Sequence, residues 1–282
     1  MRTIAGALVS FALLAAMFVP LERLFPARKQ PILRPRLRTD AAYFFGQYLV
    51  WSTLAVVVLT WVRLALDGAA LARLHDALAA QPTVLRALEV VIAGDLLVYA
   101  WHRACHASPL LWRFHAVHHT AEHLDWLAAH REHPLDGLTT QLAQNLPAFV
   151  AGFPLGAIAA LAAFRGAWGI FIHSNTRLPL GPLRLLFGAP ELHHFHHRKL
   201  RAGERTENFA NLAPWIDWIF GTYSFPVGEE TYPLGLDEEW PNDYVGQLVQ
   251  PFRSSRASAS AAASATSASE SRASAARIAR AP

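Results

Sequence analysis

Two hundred and eighty-two residues that are 53% hydrophobic, only 16% charged and of mean hydropathy +0.20 do not describe a polar disordered chain or an ordinary water-soluble enzyme, which carries about 25% charge. One cysteine, Cys105, excludes an internal disulfide framework. The formal charge of +4 falls to +1 once the last 29 residues, with four Arg and one Glu, are set aside, so no basic footprint for nucleic acid remains.

In chain order, residues 4–20 are apolar for seventeen positions. This run is open to two readings, a removed leader or a retained span; Pro20 and the basic segment from Arg23 to Arg38 favour the span. Residues 43–62 hold twenty positions without a charge, close to the roughly 20 needed to cross about 30 Å of hydrocarbon. Leu85 to Trp101 is expected as a third span despite Arg86, Glu89 and Asp95. The loop between the first two spans carries Arg23, Arg28, Lys29, Arg34, Arg36 and Arg38, against Arg63 and Arg73 in the next. That asymmetry puts the first loop in the cytoplasm, and two further crossings return the chain there near Trp101.

Leu138 to Ile172 is a second apolar stretch, broken by Pro147, Gly152, Pro154 and Gly156. It predicts a re-entrant hairpin of two helices turning near Gly152 to Gly156, with arms of roughly 22–26 Å. Residues 254–282 contain twelve Ala and nine Ser with no apolar period. They are expected to form a disordered tail behind one membrane-embedded domain, 1–253.

Histidine is the unusual residue: thirteen of fourteen lie between His102 and His197. His102 and His106 are four apart; His115, His118 and His119 stand at i, i+3 and i+4, and His193, His196 and His197 repeat that spacing. Such spacings put two imidazoles on one helical face, and adjacent histidines diverge by about 100°, so one triplet can feed two neighbouring metals. Neutral imidazole suits several transition metals and does not by itself select iron. Asp95, Glu122, Asp125, Asp136, Glu191 and Asp217 are available to hold outer ring nitrogens or balance charge. Asp95, an ionisable group inside an apolar span, shares a helical stripe with Tyr99, His102 and His106, and is expected to meet ligands from another helix. Arg165, midway along the second hairpin arm, must snorkel, pair or face the interior. His75 and His123 are assigned no metal role.

WHRACH, FHAVHHT, AHREHPLDG, FIHSN, PELHHFHHRK and ENFANLAPWIDWIFGTY, in that order over about residues 95–225, resemble the signature of the fatty acid hydroxylase/sterol desaturase superfamily. The resemblance implies an all-α integral membrane helical bundle, three spans plus the hairpin, with a cytoplasmic helical cap. It implies a non-haem di-iron site, in which zinc can substitute, using O₂ and two electrons to hydroxylate or desaturate a lipid. Carried over residue by residue, the implied metal ligands are His102, His106, His115, His118, His119, His133, His173, His193, His196 and His197, ten in all. Asp95, His130, Asp136, His194, Asn175 and Asn208 are the candidates for supporting residues, Asp95 from its place in an apolar span and Asn175 and Asn208 from the family pattern; His133 equally fits a helix start beside Pro134. The His-x-x-His-Pro-x-Asp-Gly segment tilts the substrate toward a sterol or isoprenoid.

The chain has no dinucleotide fingerprint and no cysteine set for an iron–sulfur cluster. Electrons are therefore expected from a separate ferredoxin or cytochrome with its reductase. Arginine outnumbers lysine 23 to 2, a usage associated with GC-rich bacterial genomes, which suggests a bacterial cytoplasmic membrane. The competing class, a histidine-rich membrane metal transporter or metal-binding protein without oxidase activity, would spread ionisable residues along a midplane path. An intramembrane metalloprotease is excluded by the lack of His-Glu-x-x-His.

Overall fold

The computed structural model describes residues 3–66, 69–178, 180–225, 228 and 230–253. Residues 254–282, where a disordered tail is expected, lie outside them. Among the described residues the chain is all-helical, with two isolated antiparallel bridges and no strand.

Helix α1 (Ile4–Leu24) starts where the Thr3 hydroxyl accepts from the Gly6 amide at 3.1 Å, an ordinary N-cap. α2 (Leu37–Gly46) passes through one π-helical turn, Gln47–Trp51, into α3 (Ser52–Leu66). α4 (Ala69–Ala79) leads to α5 (Thr83–Ala107), which the Ser108–Pro109 break separates from α6 (Pro109–His119). The Ser108 hydroxyl caps α6, and proline stands at the first turn of α6, α7 (Pro134–Val150) and α9 (Pro190–His196). Proline suits that position because the missing N–H has no helical partner there. It fixes where α7 and the two histidine-bearing helices α6 and α9 begin. α8 (Leu155–His173), α10 (Trp215–Ile219) and α11 (Tyr244–Arg253) complete the order.

Three helices are long and apolar enough to cross a membrane: α1, the continuous Leu37–Leu66 rod, and α8. Their apolar side chains are largely uncovered, with Leu13 66% and Trp61 69% exposed, as expected of surfaces that face lipid rather than water. The third such helix is an arm of the hairpin, where the sequence pointed to Leu85–Trp101. That stretch is helical within α5 and long enough, but Arg86, Glu89 and Asp95 dilute its hydropathy. The hairpin turns where expected: Gly152 takes φ +68, and a side chain there would run into the His75 ring on α4 at 2.9 Å. Its tip is not shallow. Phe149, Ala151, Phe153 and Ile158 form one buried cluster with Val90 of α5, against Leu59, Val62 and Leu66 of α3. Both arms therefore run as deep as α3 and α5.

The opposite end is the cap. Phe18 of α1 and Phe44 of α2 pack on Trp126 and Leu127, and the α1–α2 link is tied to the histidine segments by charge. Arg34 forks onto Asp125 through two 2.6 Å bonds and reaches Asp40 at 2.7 Å, while Asp40 also accepts from Arg131 at 2.6 Å. Four buried charges pairing two against two offset a desolvation that each alone could not bear.

Candidate metal centre

Four segments bring the imidazoles together. α5 carries His102 and His106 on one face, α6 carries His115, His118 and His119, α8 ends at His173, and α9 with its C-cap carries His193, His196 and His197. The side chains sort into two sets. In one, ring nitrogens of His102, His106, His115, His119 and His196 all lie within 4.8 Å of one another; in the other, those of His118, His173, His193 and His197 do. The sets adjoin: His118 and His119 diverge from one turn, and the rings of His119 and His197 stack at 4.3 Å.

The outer ring nitrogens are held. His115 Nδ1 is 2.8 Å from Asp136 Oδ2, and the Nδ1 atoms of His102, His118, His173 and His196 sit 2.6–3.0 Å from the carbonyls of Phe209, Arg131, Gly169 and Glu207. Each carbonyl can only accept, so Nδ1 carries the proton and Nε2 turns a lone pair inward. Inside, the Nε2 pairs of His118 and His173, His173 and His193, and His193 and His197 approach to 3.0, 2.9 and 3.1 Å. The inner Nε2 atoms of His102, His106 and His196 are buried with no partner. Burial pushes the His118 pKa down to about 4 and, with the neighbouring imidazoles, pushes His119, His193, His196 and His197 well below the ordinary range. These five rings are neutral at pH 7. Neutral lone pairs converging on common points repel unless a cation lies between them, so this donor set fits metal ions.

His133, the tenth implied ligand, is not brought to either set. It caps α7, its Nδ1 accepting from the Leu135 amide, and its Nε2 lies 3.2 Å from the Leu248 carbonyl. His130 packs edge-on against Phe44 at 4.9 Å, and His194 turns away to Glu230 at 2.8 Å. Of the proposed anionic supports, Asp136 alone reaches a ligand ring. Asp95 meets no histidine: it accepts from the amides of Leu212 and Ala213 at 3.1 and 2.8 Å, because the irregular 209–213 segment, rather than another helix, covers that face of α5. It holds the Leu212–Ala213 end of the segment whose Phe209 carbonyl meets His102. Asp217 holds the other end, accepting from the amides of Phe209 and Ala210. Asn175 pins the backbone of Arg28, and Asn208, in a left-handed conformation at φ +60, ties Leu192 to Ser224. Arg165 faces the interior and donates to the carbonyls of Gln144, Val90 and Val91.

Sequence reasoning missed two carboxylates that frame the centre. Glu22 of α1 accepts from the amides of Trp126 and Asn175, and Glu230 orients His194 while pairing with Arg28. Glu22 sits at the end of a span, a position that invites reading it as a flank and nothing more.

Under the histidines opens a cavity of about 1020 Å³. Leu59 of α3 and Ile158, Ala162 and Gly166 of α8 border its far reaches; His102, His115, His118, His173 and His193 border its near end. It touches both sets.

Fold and site together define a helical membrane protein with two adjoining groups of histidines, able to hold cations, at the mouth of an apolar cavity. Residues 87–222, just under half of the chain, match the fatty acid hydroxylase family, and this stretch carries every histidine of the two sets. The chain is 30% identical over 171 residues to ornithine lipid hydroxylase OlsE of Rhizobium tropici, covering 61% of this chain and 51% of that one. It is 26% identical over 156 residues to alkylglycerol monooxygenase of Danio rerio (54% and 34%) and 29% identical over 134 residues to a Delta(7)-sterol 5(6)-desaturase of Gibberella zeae (47% and 36%). The chain thus spans from about a third to about half of these relatives' lengths. All three act on lipids by name, two as oxygenating enzymes and one as a desaturase. No solved structure matches the chain.

Proposed function

We propose that the protein is a membrane-bound di-iron oxidoreductase that hydroxylates or desaturates a lipid, using O₂ and two electrons from a separate ferredoxin or cytochrome system. His102, His106, His115, His119 and His196 would hold one ion and His118, His173, His193 and His197 the other. When bound, the pair would supply the O₂-activating redox chemistry that breaking an unactivated C–H bond requires. In hydroxylation one oxygen atom enters the substrate and the other leaves as water with two protons; in desaturation both leave as water.

The observation that carries this reading is the single cavity bordering both histidine sets. Its apolar walls keep water from the reacting carbon, while Asp136 and the backbone carbonyls hold the imidazoles at fixed angles. A carrier of metal ions has no need of a lipid-sized chamber beneath its ligands. On the side away from the cavity, partly exposed Trp112 lies 4.9 Å from His106 and 5.3 Å from His119, a natural face for the electron donor. Basic residues in the α1–α2 link, on this same end, favour the cytoplasm for it.

The test is lipid profiling of cells with and without the gene, joined to metal analysis of the purified protein. About two irons per chain and a lipid that gains one oxygen atom or loses two hydrogens are expected. Alanine at His118 or His196 should abolish the conversion while the protein still inserts. Full conversion by either variant would overturn the reading.

A further inference from the structure

We propose that the second half of α11, residues 248–253, is a lid on the cavity, latched by His133, that lifts to let the polar end of a lipid reach the histidines. The inference rests on the proposed function only in taking the occupant to be a lipid; nothing in it depends on oxidation. α11 lies beyond the family-matched stretch, and none of its residues belongs to either histidine set.

The cavity is walled unevenly. Leu54 and Val56 of α3 and Leu155 of α8 border it with their side chains exposed, on helices of membrane-spanning length, so an acyl chain can slip in sideways from the bilayer. Beside the histidines the wall is different: His133, Leu248 and Phe252 border the cavity there. Phe252 packs on Phe114, the residue before His115, and His133 follows closely on Arg131, whose carbonyl holds His118. The tail of a lipid meets an open side, whereas its polar end meets α11.

The two halves of α11 are held unequally. The first is anchored: the Tyr244 hydroxyl accepts from Trp51 Nε1 at 2.8 Å, its ring meets Tyr43 edge-on at 4.7 Å, and a side chain on Gly46 would strike it. Just before it, the Asn242 carbonyl accepts from the Thr39 hydroxyl at 2.5 Å, and Gln247 is fully buried. Among the described residues the second half has one hydrogen bond to another element, from His133 Nε2 to the Leu248 carbonyl at 3.2 Å. His133 Nδ1 already accepts from the Leu135 amide, so Nε2 carries the proton and donates. Phe252 touches the Phe114 and His133 rings at 5.5 and 5.8 Å yet stays 63% exposed. The one buried residue of this half, Pro251, cannot donate to the Gln247 carbonyl, which removes a helical bond where the halves meet. So thinly held a half opens before the rest, with the anchored half as its hinge.

The experiment follows cis-parinaric acid, a fluorescent fatty acid, entering the full chain in phosphatidylcholine nanodiscs by stopped flow. The signal is saturable energy transfer from tryptophan, Trp51 and Trp101 bordering the cavity. His133→Asn keeps an acceptor for the α7 cap but loses the reach to Leu248; Phe252→Ala removes the aromatic contacts. Each should raise association and dissociation rates together, roughly two- to ten-fold, as the loss of about one hydrogen bond would. Kd should hardly move, because a lid sets how often the way is open and not how well the probe fits. Val245→Ala, exposed on the anchored half, should leave both rates as in the parent, and His133→Asn should bind as much metal as the parent. Should His133→Asn not fold, Phe252→Ala carries the test. Unchanged rates, a change confined to dissociation, metal loss in His133→Asn, or no saturable transfer at all overturns the proposal. Faster binding without any O₂-dependent mass change in cellular lipid would remove the oxidase reading and leave the lid; a mass change with unaltered rates would remove the lid alone.

Discussion

At the scale of residues, the centre depends on what stands behind each imidazole. Asp136 is the one carboxylate that grips a ring of the two sets, at 2.8 Å from His115 Nδ1. Such an outer partner fixes tautomer and ring angle, and its loss typically costs about 10–100-fold in metal affinity. Asp136→Asn should therefore lose metal to a chelator at concentrations the parent withstands, read by elemental analysis after dialysis. Equal retention would show that His115 is oriented by something else. A different residue governs acid sensitivity. His130 is in neither set, and burial lowers its pKa to about 4, whereas an unfolded imidazole takes its proton near pH 6.5. Between those values the unfolded chain binds more protons, so acid favours unfolding; the penalty is absent above about pH 7 and complete below pH 4. At pH 5 it amounts to roughly 1–2 kcal/mol. His130→Phe, keeping the aromatic contact with Phe44, should unfold at the parent's temperature at pH 7.5 and at a higher one at pH 5. A difference that does not change with pH would remove this account.

At the scale of elements, the helices lock together at one close approach. Gly94 of α5 lets the Arg165 guanidinium of α8 reach three carbonyls, and a methyl on Gly94 would strike that guanidinium and lie 2.6 Å from the Gln144 carbonyl of α7. Gly166, one residue after Arg165, has nothing within 4 Å of the same position. Gly94→Ala should then cost several kcal/mol through overpacking and an unpaired buried cation, while Gly166→Ala should gain up to about 1 kcal/mol of helix propensity. Detergent unfolding of the two variants checks the contrast, and an equal response would contradict it. The same elements show what the sequence could reveal. The i, i+3, i+4 spacing exposed eight of the nine clustered histidines, and Gly152 with Pro154 marked the hairpin turn, since both signals live in a few adjacent residues. The fate of Asp95 was hidden. Its stripe on α5 was readable, but the segment that covers it, 209–213, has no period and answers with backbone amides that any residue carries. The carbonyls behind four of the imidazoles were hidden for the same reason. His133 could not be placed from spacing alone, because proline after it serves a helix start and a ligand motif equally.

At the scale of the whole molecule, the two ends of the bundle differ in kind. One gathers the α1–α2 link, the histidines and the paired charges of Arg34, Asp40, Asp125 and Arg131; Pro26 bridges Thr176 and Arg28 pairs with Glu230 at the same end. The other has α4 lying over the hairpin tip, with His75 against Gly152. Because the basic link and the histidines share an end, the charge asymmetry that orients the link orients the centre as well. Cys105, the single thiol, is buried, so a cysteine introduced at an exposed site supplies the reactive thiol. Ala80→Cys, after α4, should react with a membrane-impermeant maleimide in intact cells, while Ala202→Cys, in the exposed turn beyond α9, should react only after the cells are opened. The opposite pattern would turn the molecule over and put the centre on the outer face. Labelling of both from outside would mean that the hairpin and α5 do not lie across the bilayer as the apolar rods beside them do.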